Sequence, residues 1–168
     1  AKEQEHQSKR TKSRAEVFTP SWLCNQMNND IDAAWFNRRD VFNIEDNQAW
    51  HTGQESIIFP KKKGHGWHTY IESPRLEVTC GEAPFVCSRY DPVTGETLPV
   101  DKRIGFLDRK LRVVSEKTKT RKEWVRWAFA ALKASCGFEY QGDNLLLARI
   151  NVFETFCEHL YERWGVGV

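Results

Sequence analysis

Glu77 lies near the end of a predicted strand that runs into the small-residue turn Cys80-Gly81. Such a turn lets a ligand approach backbone N–H groups closely, and a helix N-terminus after the turn favours a negatively charged group. The carboxylate of Glu77 could meet a cationic group on the same ligand. The pattern therefore fits a zwitterionic ligand, and the amino-acid part of S-adenosylmethionine carries both an ammonium and a carboxylate group.

Glu139 lies near the end of a second predicted strand, in residues 136 to 140. We expect this strand to be the parallel neighbour of residues 72 to 80, so that the loop at Gly81 and the strand end at Glu139 face one crevice. An acid in that place typically accepts hydrogen bonds from the two ribose hydroxyls of a nucleoside cofactor. Near the start of the chain, Phe18 offers a ring and Thr19 a hydroxyl, just before a helix predicted to begin with Ser21 as its N-cap. This upstream segment could cover the same ligand from outside the sheet.

The order of these three segments resembles that of the N6-adenine DNA methyltransferases of restriction–modification systems. The family's opening motif, Glu-Val-Phe-Thr-Pro before a helix, is similar to AEVFTPSWLCNQMNN at residues 15 to 29. Its cofactor loop, Leu-Asp-Pro-Ala-Cys-Gly-Ser-Gly-x-Phe, resembles LEVTCGEAPF at residues 76 to 85. Its second strand and following helix, with an acid and a leucine-rich segment ending Ala-Arg-x-Asn, resemble GFEYQGDNLLLARIN at residues 137 to 151.

By this resemblance, S-adenosylmethionine is the cofactor and double-stranded DNA is the substrate. The segment at residues 18 to 20 would line the methionine side of the cofactor, Glu77 and Gly81 would bind its amino-acid moiety, and Glu139 would hold its ribose. The full set of predicted cofactor-binding residues is Phe18, Thr19, Pro20, Glu77, Cys80, Gly81, Glu82, Phe85 and Glu139.

The chain departs from the family pattern within the cofactor loop. Val78 replaces the usual proline, and Glu82 places a charge where a small residue normally lies. Ala83 replaces the second glycine, and its side chain is expected to narrow the turn. The family's catalytic tetrapeptide (Asn or Asp, Pro, Pro, then an aromatic residue) is absent, and Asp91-Pro92-Val93 lacks its aromatic residue. No catalytic residue is assigned, so we expect this chain alone to bind the cofactor without methylating DNA.

The remaining elements favour an α/β fold, because helices and strands alternate along the chain. Thr120 and Glu123 form a capping-box pattern that opens an amphipathic helix, and a last helix is predicted over residues 143 to 164. The resemblance implies a Rossmann-like S-adenosylmethionine-dependent methyltransferase fold behind an N-terminal helical segment. Two strands alone leave its sheet incomplete, so either residues 104 to 114 add a strand or the polypeptide continues past Val168.

The predicted domain organisation has a basic flexible arm at residues 1 to 14 and one cofactor-binding domain at residues 15 to 168. Gly81 and Glu139 lie 58 positions apart, against about 20 in a compact dinucleotide-binding unit. Residues 90 to 125 are therefore predicted to be an insertion in the cofactor-binding domain.

Positive charge is concentrated in two stretches, although the whole chain carries a net charge of only +2. Residues 1 to 14 and 101 to 126 hold most of the excess of Lys and Arg, and phosphate-backbone binding needs little more than such clusters. Solvated surface charge is the alternative explanation. The predicted DNA-contacting residues are Lys9, Arg10, Lys12, Arg14, Arg109, Lys110, Arg112, Lys117, Lys119, Arg121 and Lys122.

Two other functions remain open at this point. A Mg²⁺-dependent restriction nuclease could use Asp101 with Asp108 and Lys110, which have the form of an acid followed by acid-x-lysine. A non-catalytic DNA-binding or assembly subunit with a degenerate cofactor pocket is the other alternative, and further restriction–modification subunits would be its partners.

The cysteine count and the hydropathy narrow the class of protein. Five cysteines without a C-x-x-C pair favour reduced thiols in a cytoplasmic protein over a disulfide framework or a zinc site. His65 and His68 lack further ligands at metal spacing, so no metal site is predicted. No apolar run approaches the roughly 18 residues of a membrane-spanning helix, and no membrane association is expected.

Overall fold

Helices dominate the chain. The computed structural model describes residues 4–14 and 17–167. The helices are α1 (Gln4–Arg14), α2 (Ser21–Phe36), α3 (Trp67–Glu72), α4 (Phe106–Lys117), α5 (Arg121–Lys133) and α6 (Gly142–Trp164), with one 3-10 turn at Val100–Lys102. The strands are β1 (Asn43–Asp46), β2 (Ala49–Thr52), β3 (Arg75–Val78) and β4 (Ser135–Phe138). Ala15 and Glu16 of the opening motif lie outside the described residues.

The predicted Rossmann-like fold is wrong. The structure is 51% helix and 11% strand, and the strands of the described residues form only a two-stranded antiparallel hairpin (β1–β2) and a two-stranded parallel sheet (β3–β4). Residues 104 to 114 do not add a strand, because this stretch becomes helical from Phe106 onward, in α4. Leu107, Leu111 and Val114, spaced at i, i+4 and i+7, form one fully buried stripe of that helix.

The parallel pairing of the two predicted strands is confirmed. β3 and β4 run in parallel from Arg75 opposite Ser135 to Val78 opposite Phe138. Parallel strands end at the same edge of a sheet, so the turn after β3 and the residue after β4 meet there. This edge is the one at which Gly81 and Glu139 were predicted to share a crevice.

Helix α4 lies at the centre of the molecule and packs against α3, α5 and α6. Its apolar residues join the main hydrophobic cluster with buried residues of α3 and α5, such as Tyr70 and Trp124. Residues 90 to 125, predicted to be an insertion, thus supply part of the core. Thr120 caps α5 as predicted, because its hydroxyl accepts a hydrogen bond from the Glu123 N–H at 3.2 Å, whereas the Glu123 carboxylate accepts the N–H of Lys119 at 3.2 Å instead of that of Thr120.

A buried ionic network connects α4 to three other elements. Asp32 of α2 accepts hydrogen bonds from Arg109 Nη1 at 2.6 Å and from the Tyr70 hydroxyl of α3 at 2.9 Å, and it pairs with Arg75 of β3. The side chains of Asp32 and Arg109 are 2% and 1% exposed. Their charges are compensated within the protein, as buried charges must be.

Lys110, the next residue on α4, holds the starts of both parallel strands. Its ammonium group donates to the carbonyl of Ser73 at 2.7 Å and to that of Ala134 at 3.0 Å. Ser73 lies just before β3, and Ala134 lies immediately before β4. A single buried lysine therefore links the starts of the two strands, and burial lowers its pKa to about 7.

Residues predicted to form a flexible basic arm are helical from Gln4 to Arg14. Gln7 donates a hydrogen bond to the Pro92 carbonyl at 2.9 Å, and Arg10 forms an ion pair with Asp143 at 2.8 Å. α1 therefore packs against the rest of the molecule. Within residues 4–14 and 17–167, no helix combines the length and apolar character needed to cross a bilayer.

Replacing Asp32 with alanine should destabilise the fold severely, because Arg109 and Arg75 would remain buried without their carboxylate. We expect a loss of about 3–5 kcal/mol in the free energy of unfolding, measured by urea denaturation. Asp30→Ala on the same helix is the matched control, since its 3.7 Å pair with Arg39 is exposed and such pairs contribute at most about 1 kcal/mol. Similar losses in the two variants would contradict a structural role for the buried network.

Candidate cofactor-binding site

A cavity of about 400 Å³ opens at the carboxyl ends of β3 and β4. The N-terminal segment at residues 17 to 19 forms one wall of the cavity, and the turn after β3 forms another. All the predicted cofactor-binding residues except Pro20 line the cavity. The lining residues are Val17, Phe18, Thr19, Glu77, Val78, Thr79, Cys80, Gly81, Glu82, Pro84, Phe85, Pro92, Glu139, Tyr140, Gln141 and Asn144.

Glu139 joins the two strand ends. One carboxylate oxygen accepts a hydrogen bond from the Gly81 N–H at 2.7 Å, and the other accepts one from the Gln141 N–H at 2.8 Å. The predicted shared crevice of Gly81 and Glu139 is therefore confirmed. A carboxylate offers about four lone-pair sites, so both oxygens retain capacity for a ligand's donors.

Glu77 lies deeper, at the base of the cavity. One of its carboxylate oxygens accepts a hydrogen bond from the Val86 N–H at 3.2 Å. The pKa of Glu77 is raised to about 8, mainly by burial; hydrogen bonds from the backbone N–H groups of Val86 and Phe85 oppose the rise, and the charge of Glu139 adds to it. At neutral pH this carboxyl group is therefore mainly protonated, unless a cation enters the cavity.

The turn between Thr79 and Ala83 takes an unusual backbone path. Thr79, Gly81 and Ala83 have φ angles of +54°, +54° and +66°, in the region that favours glycine. The methyl group of Ala83 points into the hydrophobic core, where the residue is 1% exposed, and Ala83 does not line the cavity. The expected narrowing of the turn by Ala83 is thus wrong, because the side chain faces away from the site.

Asp91 positions the N-terminal wall of the cavity, a role that the sequence analysis missed. Its carboxylate accepts the N–H of Ser21, the first residue of α2, at 2.7 Å, and the N–H groups of Val93 and Thr94 at 2.9 and 2.8 Å. Burial opposes ionisation, but these hydrogen bonds lower the pKa of Asp91. Ser21 is thus capped by Asp91 and is not itself the N-cap, which is Pro20. In the sequence, the only indication of this role is the Asp91-Pro92 pair before a turn.

Glu82 and Cys80 of the turn after β3 also line the cavity. The Glu82 carboxylate accepts a hydrogen bond from the Tyr90 hydroxyl at 2.7 Å, and Asn151 of α6 donates to the Glu82 carbonyl at 2.9 Å. Burial raises the pKa of Cys80 to about 11, with further contributions from Glu77 and Glu139, so its side chain stays a neutral thiol.

Only part of the predicted DNA-contacting set lies on the surface. Arg109 and Lys110 are buried with the internal partners described above, and Arg112 and Lys117 donate to backbone carbonyls at 2.7–3.2 Å and 2.8 Å. Arg10 is paired with Asp143, and the side chain of Arg14 lies outside the described residues. The exposed members are Lys9, Lys12, Lys119, Arg121 and Lys122.

Asp108 and Lys110, which the nuclease hypothesis places in one site, form hydrogen bonds with different partners. Asp108 accepts hydrogen bonds from the Ser88 N–H at 2.9 Å and contacts His159 Nε2 at 3.0 Å, whereas Lys110 holds the strand starts. In the described part of the chain, no three His, Cys, Asp or Glu side chains are grouped so that they could hold a metal ion.

The stability of the protein should depend on the ionisation of Glu77. The pKa is higher in the folded chain (about 8) than in the unfolded chain (about 4.3), so the folded state binds a proton more tightly. This contribution is full below about pH 4, and it is lost as the pH rises to about 8. The Glu77→Gln variant stays neutral at every pH. The free energy of unfolding of the variant, relative to that of wild type, should therefore increase as the pH rises through this window. Above the window, the difference between the two proteins should stay constant.

The measurement is urea denaturation of both proteins between about pH 5 and pH 9. The exposed Glu72→Gln substitution is the control, and its curve should parallel that of wild type throughout. If Glu77→Gln also runs parallel at all pH values, Glu77 is not a buried neutral acid.

No family model, no curated protein and no solved structure matches this chain. What the chain binds is therefore inferred from the residues that line the cavity.

Proposed function

We propose that this chain binds S-adenosylmethionine in the cavity at the ends of β3 and β4, as the cofactor-binding portion of a DNA adenine-N6 methyltransferase. The observation that carries this proposal is the hydrogen bond of 2.7 Å between Gly81 N–H and Glu139. It brings a glycine turn and a strand-end carboxylate, 58 positions apart in the chain, into one site.

The chemistry of the lining residues fits this cofactor. The volume of about 400 Å³ falls within the range of small-molecule sites, roughly 300–1,000 Å³. Three acidic side chains (Glu77, Glu82 and Glu139) line the cavity, of which Glu77 stays mainly protonated until a cation enters, and no basic side chain lines it within the described residues. An acidic cavity favours a ligand with net positive charge, and the sulfonium and ammonium groups of S-adenosylmethionine outweigh its carboxylate.

Each residue has a defined task in this proposal. Glu139 accepts the ribose hydroxyls through the lone pairs that Gly81 and Gln141 leave available. Glu77 receives the ammonium group and releases its proton when that cation arrives. Phe18 and Thr19 cover the methionine side and exclude water from it. The bound cofactor would supply an electrophilic methyl group for transfer to an amine.

Double-stranded DNA is the proposed partner of this site. Lys119, Arg121 and Lys122 are exposed and lie at the start of α5, where the helix dipole adds partial positive charge. Phosphate groups are attracted by both features. The alternative, a non-catalytic subunit with a degenerate pocket, predicts DNA binding without any affinity for the cofactor.

Calorimetric titration of the chain with S-adenosylmethionine should show binding that depends on Glu139. We expect Glu139→Ala to weaken binding by roughly tenfold to a hundredfold, because hydrogen bonds to a charged acceptor contribute about 1.5–3 kcal/mol. Glu55→Ala, an exposed glutamate outside the cavity, is the matched control and should bind like wild type. Absence of binding at millimolar cofactor, with the fold intact by circular dichroism, would refute the proposed function.

Binding to a DNA duplex should weaken steeply with salt, because each phosphate contact releases counterions. In the Arg121→Ala/Lys122→Ala variant, the slope of log affinity against log salt concentration should be shallower by about 1.8. Lys102→Ala/Arg149→Ala removes two other exposed charges and should leave the slope nearly unchanged. An affinity that does not vary with salt would argue against phosphate contacts at the start of α5.

A further inference from the structure

A second surface lies on α3, α5 and the loop before α3, and it shares no residue with the cavity. Trp67 and His68 open α3, and both rings contact Trp127 of α5, with ring centroids 5.0 and 4.4 Å apart. His68 is exposed, and the two tryptophans are half-buried. We name this set the tryptophan–lysine surface; it comprises Lys61, Lys62, Lys63, Trp67, His68, Arg126 and Trp127.

The aromatic rings of this surface are anchored. Trp67 and Trp127 pack against the hydrophobic core with their inner parts. The Trp67 and His68 rings lie 3.7 Å apart between centroids, with a 32° angle between their planes. Rings held this way contribute stacking area at little cost in conformational entropy. They therefore form a preformed platform for a planar ligand.

Positive charge predominates in the segments that carry the platform, and the exposed Glu72 at the end of α3 is the acid of that helix. Residues 61 to 68 contain three lysines and no Asp or Glu, and all three lysines are exposed. The Arg126 guanidinium lies 5.6 Å from the Trp127 ring centroid. The one acid of α5, Glu123, accepts the Lys119 N–H at 3.2 Å and belongs to the helix cap.

We propose that the tryptophan–lysine surface binds single-stranded nucleic acid, with bases stacked on its rings and phosphates against its lysines. Clustered cations select a polyanion, and partly exposed aromatic rings select planar groups. A duplex keeps its bases stacked on one another, so only an unpaired strand satisfies both requirements. This inference does not rest on the proposed cofactor function, since no cavity residue takes part.

The test measures fluorescence anisotropy of a labelled thymidine strand of about 12 nucleotides, a length within the range of single-strand sites. The full chain is titrated without any cofactor, against the strand and against a duplex of equal length. Trp67→Leu should weaken single-strand binding roughly tenfold, the scale of one lost stacking contact, and should leave duplex binding nearly unchanged. Trp67→Phe, which keeps a ring, should retain most of the affinity.

The charge contribution is tested separately. Lys62→Ala/Lys63→Ala should make the salt dependence of single-strand binding shallower by a slope of about 1.4. Two matched controls, Trp50→Leu (a half-buried tryptophan elsewhere) and Lys102→Ala/Arg149→Ala, should bind the strand like wild type. Circular dichroism and urea denaturation verify that every variant is folded.

Several outcomes would overturn the proposal. No binding of the strand at low salt would do so, as would equal losses in the surface variants and their controls. An effect of Trp67→Leu on association with phosphatidylserine vesicles, but not on the strand, would identify the surface as membrane-binding instead. Cofactor binding in the cavity could succeed or fail independently of all three results.

Discussion

The buried carboxylate of Asp32 is the interaction on which the rest of the structure depends. It receives donors from α3, β3 and α4 while lying on α2 itself, so four elements converge on one charge. α2 begins directly after the segment that forms one wall of the cavity, and β3 leads into the turn that forms another wall. The ionic network therefore helps to set the separation of the two walls, although no member of it lines the cavity.

Helix α4 fixes the positions of α2, β3 and β4, which additional strands would do in a larger parallel sheet. Arg109 holds α2, and Lys110 holds the starts of β3 and β4. Because the strands begin in register, their ends bring Glu77, Gly81 and Glu139 together. The basic residues of α4 are thus used inside the molecule, where their desolvation is offset by carbonyl and carboxylate partners.

Charge is divided between distinct regions of the surface. The cavity is acidic, with Glu77, Glu82 and Glu139 among its lining residues, whereas two groups of exposed lysines and arginines lie at the start of α5 and on the tryptophan–lysine surface. This division suits a protein that holds a cationic small molecule in a cavity and a polyanion outside it. Mixed charge in either place would weaken the corresponding attraction by direct compensation.

Local patterns in the sequence determined the parallel strand pair, helices α2, α5 and α6, and the residues around the cavity. Such patterns suffice for these features because strand, turn and capping signals act between close neighbours in the chain. The tertiary structure alone decided three things. Residues 104 to 114 became a buried helix, since Leu107, Leu111 and Val114 could be buried together only on a helical stripe. The side chains of Arg109 and Lys110 are buried because carboxylate and carbonyl partners from distant segments compensate their charges. The side chain of Ala83 points away from the cavity because its positive φ angle directs the methyl group into the core.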